Sequence, residues 1–203
     1  MPHKVAFENK KLPYNQSTPH YMKLLRQLSY AFLLITIFTF SQCKKNKKDE
    51  PQLPPETTTG AMTFGCKIDG KVFVPRDGGG RPGLYVQYVN LGNGIGGGWF
   101  LNISTYDYEN KKGIHIETDS LLLEEGMTYE FKNQKGSPII FYEQVKDGST
   151  EIYGKQSNDS GILIIKRHDR INRILSGTFL FTGTKLSTGE KVNVTDGSLD
   201  IRY

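Results

Sequence analysis

The sequence predicts an all-β fold, an antiparallel β-sandwich of about ten strands. Three observations carry that expectation. Apolar residues from Thr63 onward recur at every second position in short runs, and no stretch sustains the 3.6-residue period of an amphipathic helix. The runs follow one another at intervals of about 8 to 14 residues, and clusters of Gly, Asn, Asp and Ser separate them. One of those separators is a two-residue Asp-Gly link, a specific hairpin signal.

That hairpin comes first. Phe64, Cys66 and Ile68 alternate with polar or small neighbours, Val72 and Val74 resume the pattern, and Asp69-Gly70 between them suits a type I′ turn. Pro75 lacks an N–H and ends the ladder, leaving 76–83 as a flexible glycine-rich loop. The strand Leu84–Asn90 places Leu84, Val86 and Tyr88 on one face and Tyr85, Gln87 and Val89 on the other. Within 91–98, Gly92, Gly94 and Gly97 satisfy GxGxxG, but a pyrophosphate site needs those glycines to open a helix. A strand over 99–105 follows instead, so the glycines read as a strand-to-strand link.

Residues 106–112 read as a polar turn and 113–118 as a strand that turns His115 to the surface, while 119–126 is one helical turn or a strand corner. Strands are then predicted over 128–132, 139–145, 151–153, 161–166, 174–182, 191–195 and 198–203. Phe179 and Phe181 should enter the core together, and Asp196-Gly197 should be the turn that pairs the last two strands.

Ahead of the domain, Lys23 and Arg26 precede an apolar run over 28–40. The run is shorter than the roughly 20 residues that span a bilayer and falls within the roughly 7 to 15 of a secretory h-region. The expected organisation is therefore a preamble or mis-called start over 1–21, a signal peptide over 22–42 beginning at Met22, a flexible tether over 43–60, and a domain over 61–203. A leader that stops at a cysteine resembles a bacterial lipoprotein signal. The resemblance implies cleavage before Cys43, lipidation of its thiol and the membrane as a partner. Phe40 and Gln42 stand where that signal commonly has Leu and Gly or Ala. In the tether, the lysines from Lys44 followed by Asp49 and Glu50 resemble the charged signals that send Bacteroidota lipoproteins to the outer face of the outer membrane. A plain solvated linker is the alternative.

The formal charge of +5 does not describe the domain. Five basic residues and one acidic residue precede Cys43, four and three lie in 44–56, and the remainder is balanced. Nucleic acid is thereby excluded as a partner, since phosphate neutralisation needs clustered surplus Lys and Arg. With Cys43 acylated, Cys66 has no disulfide partner and reads as a buried structural thiol.

The chemistry-bearing residues are sparse. His115 and His168 are far apart in sequence, no GxSxG is present, and no metal or cofactor is expected. Glu124 and Glu125 are adjacent, whereas a glycosidase needs carboxyls from separate elements. His168, Asp169, Arg170 and Arg173 read as a charged turn between strands. Asp119-Ser120-Leu121 resembles the O-glycosylation acceptor of Bacteroidota, with Ser120 as the modified residue. The closing segments Ser176-Gly177-Thr178-Phe179-Leu180-Phe181-Thr182 and 192–203, with the opening Phe64-Gly65-Cys66-Lys67-Ile68-Asp69-Gly70-Lys71, resemble a family of uncharacterised Bacteroidota lipoproteins. That resemblance implies a fold unit and an address, and no catalytic residues.

The aromatics are the functional lead. Tyr85, Trp99, Tyr106 and Tyr108 cluster around two glycine-rich loops, and alternation must place some on an outer face, where rings stack on sugars or anchor a partner. The reading is a lipid-anchored, non-catalytic binding module for a glycan or an envelope protein. The alternatives are a carbohydrate hydrolase, which needs two opposed carboxylates, and a structural component of an envelope complex, which needs a flat apolar face.

Overall fold

The computed structural model describes Tyr21, Leu25 and residues 51–203. Tyr21 and Leu25 are helical and exposed; the signal peptide, Cys43 and the charged start of the tether lie outside the described residues. From Thr63 the chain runs through β1 (Thr63–Ile68), β2 (Lys71–Phe73), β3 (Leu84–Asn90), β4 (Trp99–Asp107), β5 (Lys112–Thr118) and β6 (Thr128–Glu130). It continues through β7 (Pro138–Lys146), β8 (Ser149–Gly154), β9 (Gly161–Asp169), β10 (Ile174–Thr184) and β11 (Lys191–Arg202).

All-β and antiparallel is what the sequence implied, but the bonding is not that of two separate sheets. Eleven strands form one open sheet in the order β2-β1-β11-β10-β8-β7-β5-β4-β3, with β9 on β10 and β6 on β9. A single bridge, Thr184 to Gly154, joins the arm containing β8 to the arm containing β10. The two arms share one core: Phe64, Cys66, Phe179 and Leu199 pack in the same cluster as Ile103, Ile114, Ile116 and Tyr142. Phe179 and Phe181 both point into it, as expected.

Three local features shape this arrangement. Asp69 and Gly70 have φ of 48° and 78°, the positive pair that the β1–β2 hairpin requires. Asp196-Gly197, expected as a turn between two strands, is instead a bulge inside β11: partners of β10 jump from Gly197 to Val194 while the strand continues. Gly197 is needed there, since a Cβ would lie 2.5 Å from the carbonyl oxygen of Phe179 and 2.6 Å from its ring. The third feature is His168, read from sequence as part of a solvated turn. It belongs to β9, its Nδ1 donates to the carbonyl of Leu123 at 2.6 Å, and its Nε2 meets the hydroxyl of Tyr203 at 2.9 Å. Tyr88 of β3 packs on both, with ring centroids 5.4 Å from His168 and 5.1 Å from Tyr203, so β3 meets β9 and the chain end across the core.

The tether also departs from expectation. Residues 51–60 lie on the outer face of β1, β9 and β11 and are held there. Pro54 sits over Gly65, where a Cβ would come within 2.6 Å of the proline ring. Arg167 donates to the carbonyl of Thr58 at 2.8 Å, Lys166 pairs with Glu56, and Asp200 accepts from Thr57, Thr59 and Gly60. Composition marked this segment as solvated because its bonds are made to residues more than a hundred positions away.

Candidate functional site

The four aromatic candidates are divided by strand parity. On β4, Leu101, Ile103, Thr105 and Asp107 are buried, so Trp99 shares their inward face; it packs against the core with its ring 5.0 Å from Tyr88. Trp99 is thus a packing residue, and this corrects its expected place on a ligand-facing surface. Tyr85 turns outward and is 51% exposed. Its register partner is Ser104, two residues from Tyr106 on the same outer face. Tyr108 lies just beyond the end of β4, which extends past the predicted boundary to Asp107, and its ring is 4.7 Å from that of Tyr106. The structure therefore brings Tyr85, Tyr106 and Tyr108 to one side and removes Trp99.

Tyr108 forms one wall of an open cleft of about 540 Å³, lined also by Asp77, Gly78, Gly79, Arg81 and Glu109. The loop that supplies most of these residues is anchored to β4, not free. The amide of Arg76 donates to the carbonyl of Tyr106 at 3.0 Å, the amide of Tyr106 to Gly83 at 2.7 Å, and the amide of Gly83 to Asp77 Oδ1 at 2.7 Å. Arg76 also pairs with Glu109. Gly78 is there for close approach: a Cβ would stand 2.3 Å from the Cβ of Tyr108. On the other side of the ring pair, buried Asp107 accepts from the amides of Glu109 and Asn110, each at 3.1 Å, and fixes the turn that presents Tyr108. Partial burial, followed by the charges of Glu143, Tyr108 and Asp107, raises the Tyr106 pKa, so its hydroxyl remains a neutral donor.

The other candidates have structural partners. His115 stacks on Phe141 at 4.6 Å and meets Glu143 at 3.1 Å, more enclosed than a surface residue. Among the described residues no group of three or more His, Cys, Asp or Glu could hold a metal ion. Ser120, the glycosylation candidate, has a φ of 55° and its hydroxyl donates to the carbonyl of Gly97 at 2.8 Å. The glycine loop around Gly97 does link β3 to β4, closed by the amide of Gly98 on the carbonyl of Gly92 at 2.7 Å. Glu125 accepts from the amide of His168 at 3.0 Å. Cys66 is fully buried, and that burial pushes its thiol pKa far up, with only Lys112 acting against it.

Sequence reasoning missed Asp77, Arg81 and Glu109. The signal that was available is local: a charged loop with three consecutive glycines directly ahead of the strand that carries Tyr85. Fold and site together define an all-antiparallel β protein with an aromatic surface cleft. No protein-family model, curated protein or solved structure matches the chain.

Proposed function

We propose that this chain is an envelope-anchored, non-catalytic binding module whose ligand is a glycan. The observation that carries the reading is the Tyr106–Tyr108 ring pair beside an open cleft edged by Asp77, Arg81 and Glu109. A pyranose offers an apolar C–H face to a ring and hydroxyls to carboxylates and a guanidinium, and this cleft offers both partners side by side. In this reading the two arms of the sheet act as the layers of a β-sandwich, with the cleft outside the β3–β4 layer. A lipid on Cys43 holds the domain at the outer membrane, as the lipoprotein-like leader implies.

Hydrolysis is less well supported, because it needs two carboxyls able to exchange protons across the substrate. Here Asp77 is bonded to the amide of Gly83 and Glu109 pairs with Arg76. The test is a glycan array probed with the unaltered chain and with Tyr106→Ala and Tyr108→Ala. Binding retained in both folded variants would sink the site, and release of reducing ends from a bound glycan would replace binding with catalysis. Metabolic labelling with palmitate should mark the unaltered chain and leave Cys43→Ser unmarked; an unlabelled native chain removes the anchor.

A further inference from the structure

The topology leaves a second, larger cavity on another part of the domain. One edge of β10 is shared by two strands: β9 pairs with it as far as Phe181, opposite Gly161, and β8 touches it only at Thr184, opposite Gly154. Where they diverge, along β7, β8 and the loop after β10, lies a groove of about 590 Å³ that shares no residue with the Tyr108 cleft. Its volume falls within the roughly 300 to 1,000 Å³ of small-molecule sites. Polar residues line much of it, but one set of apolar side chains stands partly in water. Ile139 and Phe141 come from the outward face of β7, Ile152 of β8 is 54% exposed, and Leu186 on the facing loop is 82% exposed.

Lys155 gives the groove its chemistry. Its side chain is only 7% exposed, yet the carboxylate it meets, Glu130, stands at 3.9 Å, beyond hydrogen-bond distance. Its one hydrogen bond is to the carbonyl of Gln156 at 3.3 Å. An ammonium has three donors, and a buried cation short of acceptors is costly unless something supplies them. The other two lysines lining the groove are already served, Lys185 by Glu151 at 2.6 Å and Lys132 by Glu130 at 3.1 Å. A single under-served cation matches a monoanion, whereas a phosphate dianion would call for more than one. Ile139, Ile152 and Leu186 give the groove an aliphatic track suited to an alkyl chain, and one face of Phe141 is already covered by His115.

We infer that this groove binds a single-chain carboxylic acid, its carboxylate on Lys155 and its alkyl chain along Phe141, Ile152 and Leu186. The site is independent of the glycan reading and would stand if that reading failed.

The probes are decanoate and decanol, titrated calorimetrically into the full chain carrying Cys43→Ser so that no attached lipid competes. Decanoate should bind at one equivalent, and decanol about tenfold more weakly, the factor that one hydrogen bond to a charged group supplies. Lys155→Met should weaken decanoate about tenfold and leave decanol unchanged, while Leu186→Asp, at an exposed position, should weaken both. Equal affinity for acid and alcohol overturns the proposal even if Lys155→Met fails to fold. Several equivalents of decanoate, no binding up to about 1 mM, or attachment to phosphatidylglycerol vesicles without uptake of the free acid overturns it as well.

Discussion

The amide of Gly60 donates to one carboxylate oxygen of Asp200 at 2.7 Å, while the amides of Thr59 and Ala61 donate to the other at 2.9 and 3.1 Å. With the Thr57 hydroxyl added at 2.5 Å, one buried side chain of the last strand holds the segment that leads into the first. Asp200→Asn removes the charge and one acceptor, and should cost about 1–3 kcal/mol. Urea unfolding checks the magnitude, and faster hydrogen exchange at Thr59, Gly60 and Ala61 checks the location. Unchanged exchange at those amides would show that the segment is held by other means.

Stability should fall in acid through the carboxylates whose pKa is lowered in the fold, this clamp and Asp159 among them. Burial alone would raise the Asp200 pKa, but the bonds from Thr57, Gly60, Ala61 and Thr59 outweigh it and the net shift is downward. Burial likewise opposes ionisation of Asp159, yet Lys191, Thr184 and the amide of Gln156 bring its pKa down to about 2. Carboxylates with depressed folded values add stability that is complete above the unfolded value of about 4 and disappears as pH falls through the folded value. Thermal unfolding should therefore hold its midpoint from neutrality to about pH 5 and decline towards about pH 2. In Asp159→Asn combined with Asp200→Asn the decline should be shallower.

Gly78 offers a test of the cleft that leaves its polar groups in place. Gly78→Ala would set a Cβ 2.3 Å from that of Tyr108, so the ring or the loop must move. Glycan affinity should drop about as far as in Tyr108→Ala, roughly tenfold if one stacked ring supplies about 1.5 kcal/mol. Array titrations compare the two variants, and an unaffected Gly78→Ala would detach Tyr108 from binding.

The β11 bulge should tolerate no side chain at its glycine. Gly197→Ala meets both the carbonyl and the ring of Phe179 and should cost about 1–3 kcal/mol through overpacking. Denaturant midpoints measure it. A neutral substitution would mean that β10 and β11 can separate there without loss.

Cys66 should be chemically silent in the folded protein. It is fully buried, and burial opposes the thiolate that reacts. In a Cys43→Ser chain, where it is the remaining thiol, a disulfide reagent should label it only on unfolding. Rapid labelling under native conditions would contradict the packing of β1.

Local chemistry was legible from the sequence, and long-range bonding was not. Alternation located nearly all of the strands, because an apolar residue at every second position reports a buried face whatever the neighbour is. Asp69-Gly70 announced a turn because two successive positive φ values suit few residue pairs, and Cys66 was read as a buried thiol because the sequence offers it no disulfide partner once Cys43 is acylated. The same logic failed at Asp196-Gly197, where an identical dipeptide forms a bulge: flanking β1 and β10 already bond both sides of β11. Alternation did not settle Trp99, because it does not say which face of β4 is buried, and pairing with β3 and β5 does.

Asp77 and Arg81 became neighbours of Tyr108 and Glu109 only because the 76–83 loop bonds back onto β4. Residues 51–60 looked like spacer because the carboxylate that holds them is on the last strand. The sequence by itself determined which residues turn inward and where the chain can reverse, since those depend on neighbours one to four positions away. Tertiary structure alone decided that the strands join in one sheet, that residues 51–60 dock, and that Lys155 is left short of acceptors. Each of these depends on partners that meet only when the arms of the sheet fold together.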